Sequence, residues 1–217
     1  MKRVRVLHIG KYYPPYPGGM ETHVRDLAVR QKVVAQVSVV VANSIARNEI
    51  SEMDGVHIER IARLTTIASM PICPGLPGAI RRSPADLVHI HMPNPGAALA
   101  FLMSGHTGKV VITHHADTLG RKVLRMLSDP FVTRLMQRAT RITVSSARYL
   151  ESSKELAPFR NKCRVIPLGI DVERTACMDG TIVRQIRADI SEQFPHRIPV
   201  VGRLCAGWKE AGCACNG

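Results

Sequence analysis

Residues 3–23 read Arg3-Val-Arg-Val-Leu-His-Ile-Gly-Lys-Tyr-Tyr-Pro-Pro-Tyr-Pro-Gly-Gly-Met-Glu-Thr-His23. The first eight form a short β-rich run that stops on a glycine, and a loop of Tyr, Pro and Gly follows. Val24, Leu27, Ala28 and Gln31 then recur at helical spacing, which predicts a helix from Gly19 to Gln31. Strand, glycine-ended loop and helix make the opening unit of a parallel α/β sheet. The same rhythm continues outward. Strands are expected at 37–42, 56–61, 86–91, 109–113, 141–144 and 163–167, and helices at 95–103, 119–139 and 146–155. The Pro- and Gly-rich stretch 65–80 reads as a loop leading into a helix. Short apolar strands alternating with helices predict an α/β fold, a Rossmann-like doubly wound parallel sheet covered on both faces. After Asp171 the rhythm weakens to one helical stretch, one more strand at 198–201 and a Gly- and Cys-rich end. The expected organisation is therefore a domain over 1–171, a linker or helix over 172–197, and a stub of a second domain over 198–217.

The chain has 217 residues, is 45% hydrophobic, and carries 30 Lys+Arg against 17 Asp+Glu, a formal net charge of +13. That apolar fraction excludes a disordered chain, and the charge favours anionic partners. The apolar start ends at Ile9, ahead of Lys11, and is too short for a secretory leader. The stretch 33–42 is broken by Gln36 and Ser38 and falls well below the roughly 20 residues of a spanning helix. A soluble, cytoplasmic protein is expected. The six cysteines form no C-x-x-C pair and read as free thiols, and Cys205, Cys213 and Cys215 with His196 match no zinc-finger spacing. With 4% aromatic residues, the basic side chains are not interleaved with the stacking groups that nucleic acid requires. Arg121, Lys122, Arg125, Arg134, Arg138 and Arg141 surround Val123, Leu124, Leu127, Phe131, Val132 and Leu135. Such a helix either packs on the core with a solvated basic face or makes peripheral contact with an anionic membrane.

Three groups of residues carry chemistry. Gly18-Gly19 ahead of a helix lets backbone N–H groups approach an anion, although a plain turn has the same composition. His89 and His91 lie two apart on one strand and share a face, and His91 sits at the strand end beside Met92-Pro-Asn-Pro95. His114 and His115 follow the next strand in Thr113-His-His-Ala-Asp117. Parallel strand ends converge, so His91 and His115 are expected to share a crevice with the glycine loop. Read as metal ligands, this set fits a zinc hydrolase. Read otherwise, His89 is a packed strand residue and His115 has a polar, metal-free role.

The glycine loop with Glu21-Thr-His23, the segments 86–95 and 113–117, Val144-Ser-Ser-Ala-Arg-Tyr-Leu150 and Val165-Ile-Pro-Leu-Gly-Ile-Asp171 occur in one order. Together they resemble the N-terminal domain of family-four glycosyltransferases of the GT-B fold, with 201–204 similar to the opening of the C-terminal domain. The resemblance implies a retaining transferase that moves a hexose from a nucleotide-sugar to a polysaccharide or lipid-linked acceptor, with no cofactor and no metal. It implies that Gly18 and Gly19 approach the donor phosphates and that His115 contacts the transferred sugar as the catalytic histidine. It further implies that Arg203 and Lys209 neutralise the departing diphosphate, and that Glu21, His23, His91, Asn94 and Asp117 line the acceptor cleft. A nucleotide-sugar and a glycan or lipid-linked acceptor are the partners it implies, on the inner face of a membrane. The family's pair of glutamates separated by seven residues has no counterpart in this sequence. The expectation is that these 217 residues alone transfer no sugar. A non-catalytic Rossmann-like binding module is the alternative from another class.

Overall fold

The computed structural model describes residues 3–117 and 122–169, together with Arg184. Its strands are β1 (Arg5–Ile9), β2 (Gln36–Ala42), β3 (Glu49–Met53), β4 (Val56–Ile61), β5 (Thr65–Ile67), β6 (Met70–Ile72), β7 (Leu87–Met92), β8 (Lys109–His114), β9 (Arg141–Val144) and β10 (Cys163–Val165). The helices are α1 (Gly19–Gln31), α2 (Leu76–Arg82), α3 (Pro95–Ser104), α4 (Lys122–Arg138) and α5 (Ala147–Ser152), with a short 3-10 turn at Ala157–Lys162. The first compact unit spans Met1–Leu168. Apart from Arg184, the expected elements over 172–201 lie outside the described residues.

Eight strands form one sheet in the order β10-β9-β8-β7-β1-β2-β4-β3, parallel throughout except that β3 runs antiparallel to β4. Leu7, Ile9, Val88, Ile90, Val110, Ile112, Ile142 and Val144 point to one face. There they pack with Ala79 and Ile80 of α2, Ala98 and Phe101 of α3, and Leu135 and Met136 of α4. Val6, Val37, Val39, Val41 and Ile58 point to the other face and meet Val24 and Ala28 of α1. Helices thus cover both faces, and the doubly wound expectation holds. Local chemistry sets the helix ends. The Asn94 side chain accepts a hydrogen bond from the Ala97 N–H, Pro95 opens α3, and Gly105 closes it in the left-handed region at φ 67°.

Several expectations need correction. The edge strand β3 has no counterpart among the expected strands, because Glu-Ile-Ser-Glu-Met lacks a buried stripe. Its signal is the Asp54-Gly55 turn, with φ 54° and 72°, the type I′ pair that joins tight hairpins. The stretch 65–80 holds the β5–β6 hairpin as well as a loop. Its two-residue turn is Ala68-Ser69, with φ 53° and 66°, and neither residue announces a left-handed conformation. His114 belongs to β8 instead of following it. The helix expected over 146–155 ends at Ser152, where Ser153 turns extended and spends its hydroxyl on Asp117 at 2.5 Å.

The β5–β6 turn yields a direct test. Left-handed alanine and serine are strained, so an Ala68→Asn/Ser69→Gly double variant should gain about 1 kcal/mol in urea unfolding. No gain, or a loss, would show that Ala68 and Ser69 are not both left-handed in the folded chain.

Candidate functional site

In an open parallel sheet, ligands bind beyond the carboxyl ends of the strands where the connections diverge. Here β1 leads to β2 on one side and borders β7 on the other, so the divergence lies between β1 and β7. The loop after β1 is fixed from below. Tyr12 and Tyr13 are buried in it, and the buried guanidinium of Arg60 donates to the Pro14 carbonyl at 2.7 Å and to the Ser51 hydroxyl at 2.5 Å. Gly18 caps α1 with an extended backbone. The end of the flexible Glu21 side chain folds back over Gly18, onto the position where a Cβ would stand. A Cβ on Gly19 would meet nothing within 4 Å, so the backbone there is open to an approaching group.

The pleat that turns apolar side chains toward α2–α4 turns a polar stripe toward α1. His8 and His89 are register partners on β1 and β7, and His91 and Thr113 are partners on β7 and β8. Gln31 Oε1 lies 2.8 Å from His8 Nε2, His8 Nδ1 lies 3.1 Å from His91 Nε2, and His91 Nδ1 lies 3.4 Å from His115 Nε2. His23, from α1, stands edge-on to the His91 and His115 rings at 5.8 and 5.0 Å between centroids. A second chain is fixed by a backbone carbonyl. Thr143 donates its one proton to Ile112 O at 3.3 Å, so it accepts from Thr113 at 2.8 Å. Thr113 in turn accepts from His89 Nε2–H at 2.7 Å.

Burial is the leading influence on all of these rings and disfavours their charged form. It pushes His8 and His115 down to about 4 and His23 below its ordinary value. His89 and His91 fall well below theirs. The neighbouring imidazoles push His89, His91 and His115 further down, whereas the Gln31 hydrogen bond partly offsets the effect on His8. At neutral pH the array is uncharged.

The expected site residues therefore fall into distinct settings. His23, His91 and His115 come together, with ligand atoms within 4.8 Å of one another, close enough to share a metal ion. Gly18, Gly19 and Glu21 form the N-terminus of α1. Asn94 is buried, with its carbonyl spent on capping α3. Asp117 is held against α5, accepting from Tyr149 OH at 2.8 Å, Ser153 Oγ at 2.5 Å and the Lys154 amide at 3.2 Å. Burial would raise the Asp117 carboxyl, but these hydrogen bonds and the nearby His114 together hold it below its usual range. His114 faces away from His115, bonded to Tyr149 OH at 2.7 Å and Glu155 at 3.2 Å. Arg203 and Lys209 lie outside the described residues. Sequence reasoning missed His8, Gln31, Tyr149 and Glu155. A histidine inside the otherwise apolar run 6–9 of β1 was the available signal for the first.

The family model of Glycosyltransferase Family 4 matches residues 17–174. The O-antigen chain mannosyltransferase C of Escherichia coli is 28% identical over 199 residues, covering 88% of this chain and 52% of that protein. The D-rhamnosyltransferase WbpZ of Pseudomonas aeruginosa is 34% identical over 87 residues, 40% of this chain and 23% of that protein. This chain thus spans at most about half the length of these relatives. Among solved structures, the sucrose-phosphate synthase of Thermosynechococcus elongatus superposes with a TM-score of 0.56 at 14% identity, over 79% of this chain and 49% of that one. Anabaena Alr3699/HepE in complex with UDP and glucose superposes with a TM-score of 0.56 at 13% identity, over 87% and 50%. The chain belongs to Glycosyltransferase Family 4.

Neutral buried histidines make stability depend on pH. Between about 4 and about 6.5 the unfolded chain binds protons that the folded chain refuses, so stability falls as pH falls through that window. Each fully buried ring costs about 1.4 kcal/mol per pH unit there. Thermal unfolding should show a steep drop in Tm from pH 7.5 to 5.5, and a smaller drop in a His8→Gln variant. Equal drops in the two proteins would contradict the neutral array.

Proposed function

We propose that this chain, as a member of that family, supplies the acceptor side of a retaining, nucleotide-sugar-dependent hexosyltransferase that extends a polysaccharide or a lipid-linked glycan. The observation that carries the reading is the crevice between β1 and β7, where the open backbone at Gly19 and the His23–His91–His115 group lie at the carboxyl ends of adjacent strands. The relatives support it: one is a mannosyltransferase of an O-antigen chain and another a rhamnosyltransferase. A solved neighbour holds UDP and glucose. In this reading the open backbone at Gly19, next to the Glu21-covered Gly18, faces the donor phosphates and His115 contacts the transferred sugar. Glu21, His23, His91 and Asn94 shape the acceptor cleft, and Asp117 holds its wall against α5. Neutral imidazoles cannot balance a leaving diphosphate, and the family resemblance gives that task to the fixed cations Arg203 and Lys209, without a metal or other cofactor.

The assignment of this half is tested by binding and turnover together. The 217-residue chain should bind O-antigen oligosaccharides in saturation-transfer NMR and should form no labelled product from GDP-mannose or UDP-glucose with a lipid extract. Robust product, or tight nucleotide-sugar binding without oligosaccharide binding, would overturn it.

A membrane-bound acceptor would also suit α4. Val132, Leu135 and Met136 pack inward, whereas Met126, Leu127 and Phe131 are 69%, 61% and 39% exposed, with Arg134 and Arg138 exposed on the same helix. Apolar side chains beside cations match an anionic bilayer surface. The chain should co-sediment with phosphatidylglycerol vesicles and not with phosphatidylcholine. A Leu127→Glu/Phe131→Glu variant should bind about tenfold less. Equal binding of the variant would remove α4 from the contact.

A further inference from the structure

A neutral imidazole has one N–H and one bare nitrogen, so in a chain of such rings the first partner fixes every ring after it. Gln31 is the last residue of α1, and its carbonyl oxygen stands 2.8 Å from His8 Nε2. An amide oxygen only accepts, so His8 carries its proton on Nε2 and leaves Nδ1 bare. His91 Nε2, at 3.1 Å, must then donate to His8, which leaves His91 Nδ1 bare. His115 Nε2, at 3.4 Å from it, must donate in its turn. Neutrality is what makes the counting strict, and burial supplies neutrality at each of the three rings.

We propose that Gln31 is a positioning residue that sets the tautomer of His115 through His8 and His91, so that His115 offers a proton-free Nδ1 to accept a hydrogen bond from a hydroxyl of a bound sugar. The sugar contact rests on the function proposed above; the tautomers do not. The device reaches from the far end of α1 across β1 and β7 to the crevice. None of its inner members is accessible, since His8 and His91 are both fully buried. It also gives the two buried rings a use that apolar side chains could not supply. A hydrophobic His8 would fill the same space but leave His91 free to take either tautomer, and His115 with it.

The tautomers are directly readable in long-range 1H–15N spectra of the full chain at pH 7.5, with His115 assigned from a His115→Gln variant. The wild type should show His8, His91 and His115 protonated on Nε2. Gln31→Glu places an acceptor-only group at the same position and should preserve all three. Gln31→Lys places a donor-only group there and should convert all three to the Nδ1–H form. Gln31→Met offers neither and should leave His115 populating both forms; it also covers the case in which the Lys variant does not fold. A wild-type His115 protonated on Nδ1, or a His115 unchanged in both Gln31→Met and Gln31→Lys, would overturn the relay. Titration with methyl α-mannopyranoside should move the His115 Nδ1 resonance and leave Nε2 nearly in place. A glycoside that binds without shifting Nδ1 overturns the hydroxyl contact. No binding at all counts against the proposed function, while the tautomers still decide the relay.

Discussion

A parallel sheet covered by helices on both faces leaves little water for a polar side chain, and this sheet carries a stripe of them on one face. His8, His89, His91, Thr113 and Thr143 occupy the pleat positions opposite the apolar ones on β1, β7, β8 and β9. An unpaired buried polar group costs about 1–3 kcal/mol, so each must find a partner, and each does so across strands. The register of four strands therefore satisfies two conditions at once. A one-residue slip would send Leu7, Val88 and Ile90 to the α1 face and bury the imidazoles among α2–α4. Apolar patterning alone would discriminate against that slip, and the hydrogen-bonded stripe adds a second penalty with the same sign. The loops that form the crevice leave the ends of these strands, so their placement inherits that precision.

The electrostatic character of the site is opposite to that of the chain. The sequence carries a net charge of +13, yet the group at the crevice is a set of neutral rings. Such a set recognises hydroxyls by donating and accepting, and it does not attract phosphate by charge. On the function proposed above, that division would suit a protein half that meets an acceptor and the sugar being moved. In that proposal cations elsewhere would serve the nucleotide diphosphate, where a fixed positive charge matters most in the transition state. The Glu21 carboxylate folded over Gly18 points the same way. An anion approaching α1 meets a carboxylate at Gly18 and open backbone only at Gly19.

How much of this could be read in the sequence depends on whether a feature is local. Elements with a strong period and a chemical boundary were legible: α1 between Gly18 and Lys32, α3 between Asn94 and Gly105, and the central strands. The hairpins were harder. Asp54-Gly55 carries a turn signal, but Ala68-Ser69 is an unremarkable pair whose left-handed backbone is imposed by strand pairing. The convergence of His91 and His115 was legible because each sits at a strand end, whereas His23 joined them only through the family resemblance. His8 and Gln31 were not legible, since their meaning lies in partners 83 and 23 residues away. Asp117 was legible as a polar residue after a strand, but nothing in the sequence discloses that α5 would saturate its oxygens with three donors.

The histidine group admits two chemical uses that exclude each other. Three imidazoles with ligand atoms within 4.8 Å resemble a metal site, and the 3.4 Å between His91 Nδ1 and His115 Nε2 is also about the N···N edge of a tetrahedral zinc site. A metal needs a lone pair on both of those nitrogens. The relay from Gln31 needs a proton on His115 Nε2 and a lone pair only on His91 Nδ1. The outer bond is common to both uses, because a ligating His91 would still donate Nε2–H to His8, as ring nitrogens opposite a metal ordinarily do. What separates them is the one proton between His91 and His115. A metal would expel it, and His115 would then meet a sugar with Nδ1–H as a donor; the proposed relay would retain it, and His115 would meet a sugar as an acceptor. The sign of that contact is therefore the chemical property on which the identity of this site turns.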